Sequence, residues 1–500
     1  MQLITIEQRE KIVEQRTRSI LIMHLSIFIL LIFSFGFSSA QTKLWTTAYY
    51  AGWMQGQNNN GHLPAHDIDF SAVTHIIHFA VVPNSDGTLD TASNTITESN
   101  SLELISLAHK HGVKVLISIG GWNSGEGFRG ATSLLNLTSF ISNLISLVTT
   151  RGYDGIDIDW EPLGSADAVL YIALITSLRT ALNTLSNETL LTTANGSQAE
   201  IISQVFPLFD QINLMTYDLS GAWPGWVTWH NSPLHNGGYQ FPCCPGSFLP
   251  STDSHVDDFI DAGIPASKLG IGIDFYGYVW NGGNGTTTGG VTKPRQTWTS
   301  DPWVQGNVPY YTIMQDYYQP QYYNWDDAAK ASYLSIDDTG STNDKFISYD
   351  DEKTVQAKFD YARTKGIGGL IIWELGGGYR ANQSAGQKDV LLQAVKNARD
   401  RIADVNDAIP EIPALFALEQ NYPNPFNPST TIQFSLPITE HVELNIYNIL
   451  GEKVAGLVNE TLSAGTHNIT WDASNIPSGI YICRFRSFNN VLTKKMTLIK

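Results

Sequence analysis

Residues 152–162 read GYDGIDIDWEP. Acidic and apolar side chains alternate through Asp157, Ile158, Asp159, Trp160 and Glu161. Strands generally avoid Asp. A period of two nevertheless places Asp157, Asp159 and Glu161 on one face, with Ile156, Ile158 and Trp160 on the other. In a parallel β/α barrel one strand face points into the barrel and the other packs under helices. The acids then line the interior, and Glu161 emerges at the C-terminal mouth, where barrel enzymes do their chemistry. Acids packed this closely cannot all ionise cheaply, so a proton is retained at neutral pH. That suits Glu161 as a general acid with Asp159 as its partner. A solvated acidic edge strand is the alternative, and the apolar flanks disfavour it.

The surrounding chain fits a barrel. Eight apolar runs are candidate strands: 45–50, 73–81, 114–120, 154–160, 190–195, 211–217, 269–276 and 368–373. Helical patterns at 100–111, 132–150, 166–186, 253–262 and 352–365 separate most of them. Strand–helix repetition at this count predicts an α/β fold, an eight-stranded β/α (TIM) barrel over 43–400. A doubly wound open sheet competes, but no Gly-rich phosphate loop follows the first strand. Residues 278–350, rich in Gly, Tyr, Asn and Trp, read as an inserted small subdomain walling a groove. Residues 401–415 read as a linker. Alternating strand patterns at 416–500 predict a C-terminal β-sandwich.

The chain has 500 residues, with 42% hydrophobic and 11% aromatic side chains. Its formal net charge is −17, which argues against nucleic acid or an anionic membrane as partner. Three cysteines make no disulfide framework. Cys243 and Cys244 are adjacent, as two thiols or a strained bond. No Cys/His spacing suggests a metal. Residues 24–40, HLSIFILLIFSFGFSSA, form an apolar run preceded by Arg16 and Arg18 and closed by small residues. The pattern predicts a signal peptide over 1–40, cleaved after Ala40, with Met1 or Met23 as the start. The apolar run is short for a transmembrane anchor, so no membrane span is expected in the mature protein.

DGIDIDWE resembles the Asp-x-x-Asp-x-Asp-x-Glu signature of family 18 glycoside hydrolases, matched by Asp154, Asp157, Asp159 and Glu161. SIGG (118–121), LMTYD (214–218) and GGLIIWE (368–374) resemble the family's third, sixth and eighth strands in order. The resemblance implies a secreted, endo-acting chitinase that cleaves β-1,4 bonds between N-acetylglucosamine units without a cofactor. Its mechanism is substrate-assisted and retaining, outside the usual two-carboxylate scheme. Carried over, Glu161 is the acid/base, Asp159 holds the acetamide N–H, Asp157 shares a proton with Asp159, and Tyr217 orients the acetamide carbonyl. Met215 and Asp218 shape the pocket, and Trp373 forms the floor. Tyr49, Gly120, Gly121 and Tyr276 complete the implied site. Taken singly, Trp373 and Tyr217 could be core residues, and Gly120 and Gly121 a strand-end turn. On the second strand the register of His78 and Phe79 is ambiguous, and neither is assigned.

Two positions depart from the family pattern. Pro162 stands where a Tyr is common, and Tyr276-Gly277-Tyr278 replaces Tyr-Gly-Arg. YYTIMQDYY (310–318) and KFISYDDEKTV (345–355) resemble the deep-groove subfamily, which suits polymer chains. An endo-β-N-acetylglucosaminidase trimming N-glycans would use the same residues. A lectin of the family would lack the acid, which is present here.

NYPNPFNPST (421–430), NILGEKVAGLVNE (448–460), AGTHNITWDA (464–473) and SGIYICRF (478–485) resemble the type A sorting domain of the type IX secretion system. That implies the secretion machinery as a partner and a secreted or surface-attached protein; a monomer is expected. A carbohydrate-binding β-sandwich is the alternative, but Trp471 sits in an alternating strand and reads as core.

Overall fold

The computed structural model describes residues 44–55, 62–185, 188–223, 225–282, 291–298, 303–338, 343–384, 386–401, 417–436, 440–462, 465–487 and 491–500. The expected signal peptide and residues 402–415 of the expected linker lie outside the described residues. The chain divides into two compact units, Met1–Asp400 and Arg401–Lys500.

In the first unit all eight expected strands form. They are β1 (Trp45–Ala51), β2 (His75–Pro83), β3 (Lys114–Gly121), β4 (Gly155–Trp160), β5 (Leu190–Asn195), β6 (Gln211–Leu214), β7 (Leu269–Asp274) and β8 (Gly369–Trp373). Each pairs in parallel with the next, and β8 returns to β1, so the barrel closes. Closure leaves no sheet edge and puts every C-terminal strand end at one mouth. β6 is shorter than expected: after Leu214 the chain turns, with Thr216 N–H donating to Leu214 O at 2.9 Å.

The helices α1 (Glu98–Lys110), α2 (Leu137–Arg151), α3 (Ala168–Leu182), α4 (Thr252–Asp261), α5 (Glu352–Lys365) and α6 (Val390–Asp400) pack outside. Their ends follow local chemistry. Thr97 caps α1 by accepting from Asn100 N–H, and Asp351 caps α5 by accepting from Thr354 N–H. Ser165–Leu182 is long and apolar enough to cross a membrane, yet it contributes Tyr171, Leu174, Ile175, Leu178 and Leu182 to the barrel core. Ile156 and Ile158 of β4 are fully buried in that core. Each such burial is worth roughly 1.5–3 kcal/mol. Trp160 stacks on Phe128, with centroids 4.6 Å apart and planes 7° apart.

Between β7 and β8 the chain builds a five-stranded antiparallel sheet. Its order is Trp303–Pro309, Tyr276–Asn281, Lys345–Tyr349, Ala331–Ile336 and Tyr323–Asp326. Its first strand, Tyr276–Asn281, begins two residues beyond β7, so it rises directly from the barrel mouth.

The second unit has two antiparallel sheets, one of three strands and one of four. Ser429–Leu436 alternates exposed and buried residues. Ile432, Phe434 and Trp471 of one sheet share a single core with Leu444, Ile446, Phe485 and Met496 of the other. Cys483 is buried there, whereas Cys243 and Cys244 are exposed free thiols in the first unit.

Candidate active site

β4 carries its acids as the alternation requires. Asp157 is fully buried and accepts from three hydroxyls: Thr192 at 2.6 Å, Tyr49 at 3.2 Å and Ser118 at 3.3 Å. These donors come from β5, β1 and β3. Burial pushes the Asp157 carboxyl up to about 6, against the opposing pull of its donors. Asp159 is also buried, and its Oδ1 has no partner among the described residues. Burial, then the charge of Glu161, then that of Asp157 hold its carboxyl well above the usual range. Glu161 is half-buried at the end of the strand. Burial first and the Asp218 charge second push it up to about 7. A carboxyl titrating there is matched to proton transfer near neutral pH.

The backbone around Glu161 is fixed from a neighbouring loop. Gly125 N–H donates to Glu161 O at 3.0 Å, and Glu161 N–H donates to Ser124 Oγ at 3.4 Å. The Glu161–Pro162 peptide is cis. Gly120 and Gly121 have φ of +119° and +99°. A Cβ on Gly120 would stand 2.0 Å from Asp159 O, and one on Gly121 would stand 2.8 Å from Phe79 Cζ. The pair therefore admits no side chain where β3 passes the acids.

The facing wall comes from β6 and the added sheet. Asp218 adopts φ +59°, which Asp tolerates. Its Oδ1 accepts from Tyr276 Oη at 2.6 Å and from Tyr278 Oη at 2.9 Å, and its N–H donates to Asn231 Oδ1 at 3.1 Å. Burial raises the Asp218 carboxyl, its two tyrosine donors oppose this, and the Asp274 charge adds to the rise. Tyr217 is buried, 6.0 Å from the Tyr276 ring. It lies over Gly272, where a Cβ would come within 2.6 Å of its ring. Burial keeps Tyr49, Tyr217 and Tyr276 above their ordinary range, so they are neutral hydroxyl donors.

Trp373 ends β8. Its ring meets Phe79 edge-on at 4.6 Å and Tyr49 at 5.6 Å. Tyr49, Phe79, Tyr217 and Tyr276 form one cluster, with Met215 and Trp373 packed against it. The residues predicted from sequence thus converge on one mouth.

Asp154 does not join them. At the opposite end of β4 it accepts from His109 Nε2 at 2.7 Å, Lys114 Nζ at 2.8 Å and Val115 N–H at 2.9 Å. The first acid of the signature is a tie between α1, β3 and β4.

Sequence reasoning missed Phe79, Tyr278 and Asn231. Phe79 was hidden by a register shift in β2 between His78 and Val81, which breaks the period of two. His78 faces outward, with its Nδ1 and the Tyr153 hydroxyl 2.8 Å apart. Tyr278 had a signal in the Tyr-Gly-Tyr triplet, since a strand starting at Tyr276 puts both tyrosines on one face. Asn231 had none.

Residues 46–378 match the model of glycosyl hydrolases family 18, and residues 420–500 match a secretion system C-terminal sorting domain. The chain is similar to Chitinase A1 of Niallia circulans, 31% identical over 299 residues, or 53% of this chain and 40% of that protein's length. It is also similar to Endochitinase 1 of Metarhizium robertsii, 28% identical over 360 residues, or 65% of this chain and 80% of that protein. Among solved structures, the Ostrinia furnacalis Group IV chitinase in complex with allosamidin superposes with a TM-score of 0.59 at 23% identity, covering 71% of this chain and 98% of that one. A family 18 N-acetylglucosaminidase from Paenibacillus barengoltzii gives a TM-score of 0.57 at 23% identity, over 71% and 99%. These two show a shared fold.

Proposed function

The chain belongs to glycosyl hydrolases family 18, and from that membership we propose that it is an exported, endo-acting chitinase with a retaining, substrate-assisted mechanism. The observation that carries this reading is the graded pair at the end of β4. Glu161 holds a proton to about 7 at the mouth, and Asp159 lies buried behind it with Oδ1 unpartnered among the described residues.

In this reading Glu161 donates its proton to the glycosidic oxygen as the bond to the sugar's anomeric carbon breaks. The carbonyl oxygen of the sugar's own acetamide attacks that carbon and closes an oxazolinium ring. Asp159 accepts the acetamide N–H through Oδ1 and, as its proton moves toward Asp157, offsets the ring's positive charge. Tyr217 donates to the acetamide oxygen and orients it. The Glu161 carboxylate then takes a proton from water, which opens the ring from the face the leaving group vacated and retains the anomer. Trp373 supplies the apolar floor. Tyr278, where the family pattern has Arg, is a second donor to Asp218.

Polymer cleavage from within is supported by exposed indoles beside the mouth. Trp122 directly follows β3 and is 75% exposed, Trp53 lies two residues beyond β1, and Trp223 lies in the loop nine residues beyond β6. The second reading, an endo-β-N-acetylglucosaminidase on N-glycans, shares the acid and the acetamide chemistry. We assign 43–400 to the hydrolase, 278–350 to its groove wall, 401–415 to a linker and 416–500 to a sandwich-like sorting module read by the type IX machinery. The protein acts as a monomer.

The experiment is to incubate the protein with N-acetylglucosamine oligomers and with a high-mannose glycoprotein, sizing products by mass and reading their anomer. Internal cleavage of the oligomers with β-anomer products supports the reading. Glycan release alone moves the function to the second reading, and inverted products remove substrate assistance. Glu161→Gln should lose about 10²–10⁴-fold in rate while keeping sugar binding.

A further inference from the structure

A second concave site lies away from the acids. It is a cavity of about 410 Å³ bounded by Tyr310, Tyr318, Tyr323, Tyr349, Glu352 and Arg380. That size falls in the range of small-ligand pockets. The tyrosines come from the segment after strand Trp303–Pro309 and from the end of Lys345–Tyr349, and Arg380 comes from the loop after β8.

Four tyrosines surround the opening, and Tyr310 and Tyr349 also belong to the barrel core. Tyr323 is committed, since its hydroxyl donates to Asp351 at 2.9 Å. Among the described residues the hydroxyls of Tyr310, Tyr318 and Tyr349 have no such partner, although Tyr310 and Tyr349 are only 3% exposed. Arg380 is anchored by Nη2 donating to Gln387 O at 3.0 Å, with its guanidinium 5.8 Å from the Tyr310 ring centre. Its Nη1 has no described partner. The wall thus offers ring edges, hydroxyls, one fixed cationic donor and two carboxylates, exposed Glu352 and buried Asp351, the latter accepting from Tyr323 Oη and Thr354 N–H. Because Asp351 is already engaged by Tyr323 and Thr354, the charges left to face a ligand are Glu352 and Arg380, which oppose each other. Ring faces with hydroxyls at their edges suit a neutral pyranose, whose C–H surface stacks on aromatics while its hydroxyls exchange hydrogen bonds. A guanidinium donor adds a match for an acetamide carbonyl oxygen.

We propose that this tyrosine-lined cavity is a second carbohydrate-binding site that takes one or two N-acetylated sugar units of a strand outside the catalytic mouth. The choice of sugar rests on the function proposed above; the pocket itself does not. Its role is anchoring: it holds polymer near the enzyme without touching the bond being cleaved.

The test uses the full chain with Tyr318→Ala and, separately, Glu352→Gln, both at exposed positions. Retention on insoluble chitin is measured in the Glu161→Gln background, and turnover of a soluble N-acetylglucosamine hexamer in the otherwise native chain. The expected result is retention weakened about three- to tenfold with hexamer kcat/KM unchanged within about twofold. Unchanged retention in both variants overturns the site. An equal loss of hexamer turnover also overturns it, because the tyrosines would then serve the catalytic cleft or the fold. If the native chain fails to cleave the hexamer, the proposed function falls, while the retention measurement still decides the pocket.

Discussion

The Tyr278 hydroxyl donates to Asp218 Oδ1 at 2.9 Å, beside the Tyr276 hydroxyl at 2.6 Å. Two donors from one strand thus hold the carboxylate whose charge helps keep a proton on Glu161. Tyr278→Phe removes one donor that favours the charged form, so the Asp218 carboxyl rises further and its ionised form is less favoured. The repulsion on Glu161 weakens and its pKa falls. The general acid must be protonated, so the alkaline limb of the kcat/KM profile, set near 7 by Glu161, moves to lower pH. The loss at the optimum should be about three- to tenfold. An alkaline limb that stays in place would show that Tyr278 does not act through Asp218.

Asp157 makes stability depend on pH. Its folded carboxyl titrates at about 6, above the ordinary 3.8, so the folded state binds a proton that the unfolded chain releases between those values. Stability from this group is full below the ordinary value and is lost as pH rises through 6, by up to about 3 kcal/mol. Asp157→Asn cannot titrate. Its Tm should therefore decline less than the wild type's between pH 4 and pH 7, by a few degrees. Parallel Tm curves would refute the assignment.

Asp154 should prove structural. Asp154→Ala leaves His109, Lys114 and Val115 N–H without their acceptor. Thermal or urea unfolding should show a loss of about 1–3 kcal/mol, with kcat at 25 °C within about twofold of wild type. A large fall in kcat without loss of stability would place Asp154 in the chemistry instead.

Gly120→Ala should be among the most damaging small substitutions. The new Cβ meets Asp159 O at 2.0 Å on a backbone at φ +119°. Either β3 parts from β4 or the strand carrying the acids shifts. Loss of about 3 kcal/mol or more, or failure to accumulate folded protein, is expected. Circular dichroism and yield distinguish these outcomes, and a native-like Tm would contradict the geometry.

Much of the site was legible because strand periodicity is local. Ile156, Ile158 and Trp160 had to share a face, and Asp157, Asp159 and Glu161 the other, whatever the rest of the chain did. The eight runs were legible for the same reason, since each is short, apolar and bounded by turn residues or helical pattern. The reading failed where one irregular residue changes the count. The shift between His78 and Val81 in β2 concealed which of His78 and Phe79 faces the mouth. Asp154 matches the signature's spacing, yet it precedes β4 and so stands at the barrel end opposite Glu161.

The sequence by itself determined the strand count, the alternation of β4 and the family signature, because these depend on neighbours two to eight residues apart. Only the tertiary structure decided which carboxyl keeps its proton. That order depends on three hydroxyls reaching Asp157 from β1, β3 and β5, on an Asp159 oxygen left unpartnered among the described residues, and on Asp218 facing Glu161 across the mouth. Charge and burial act through space, and chain closure alone brings residues 49, 118, 157, 192 and 218 into one small volume.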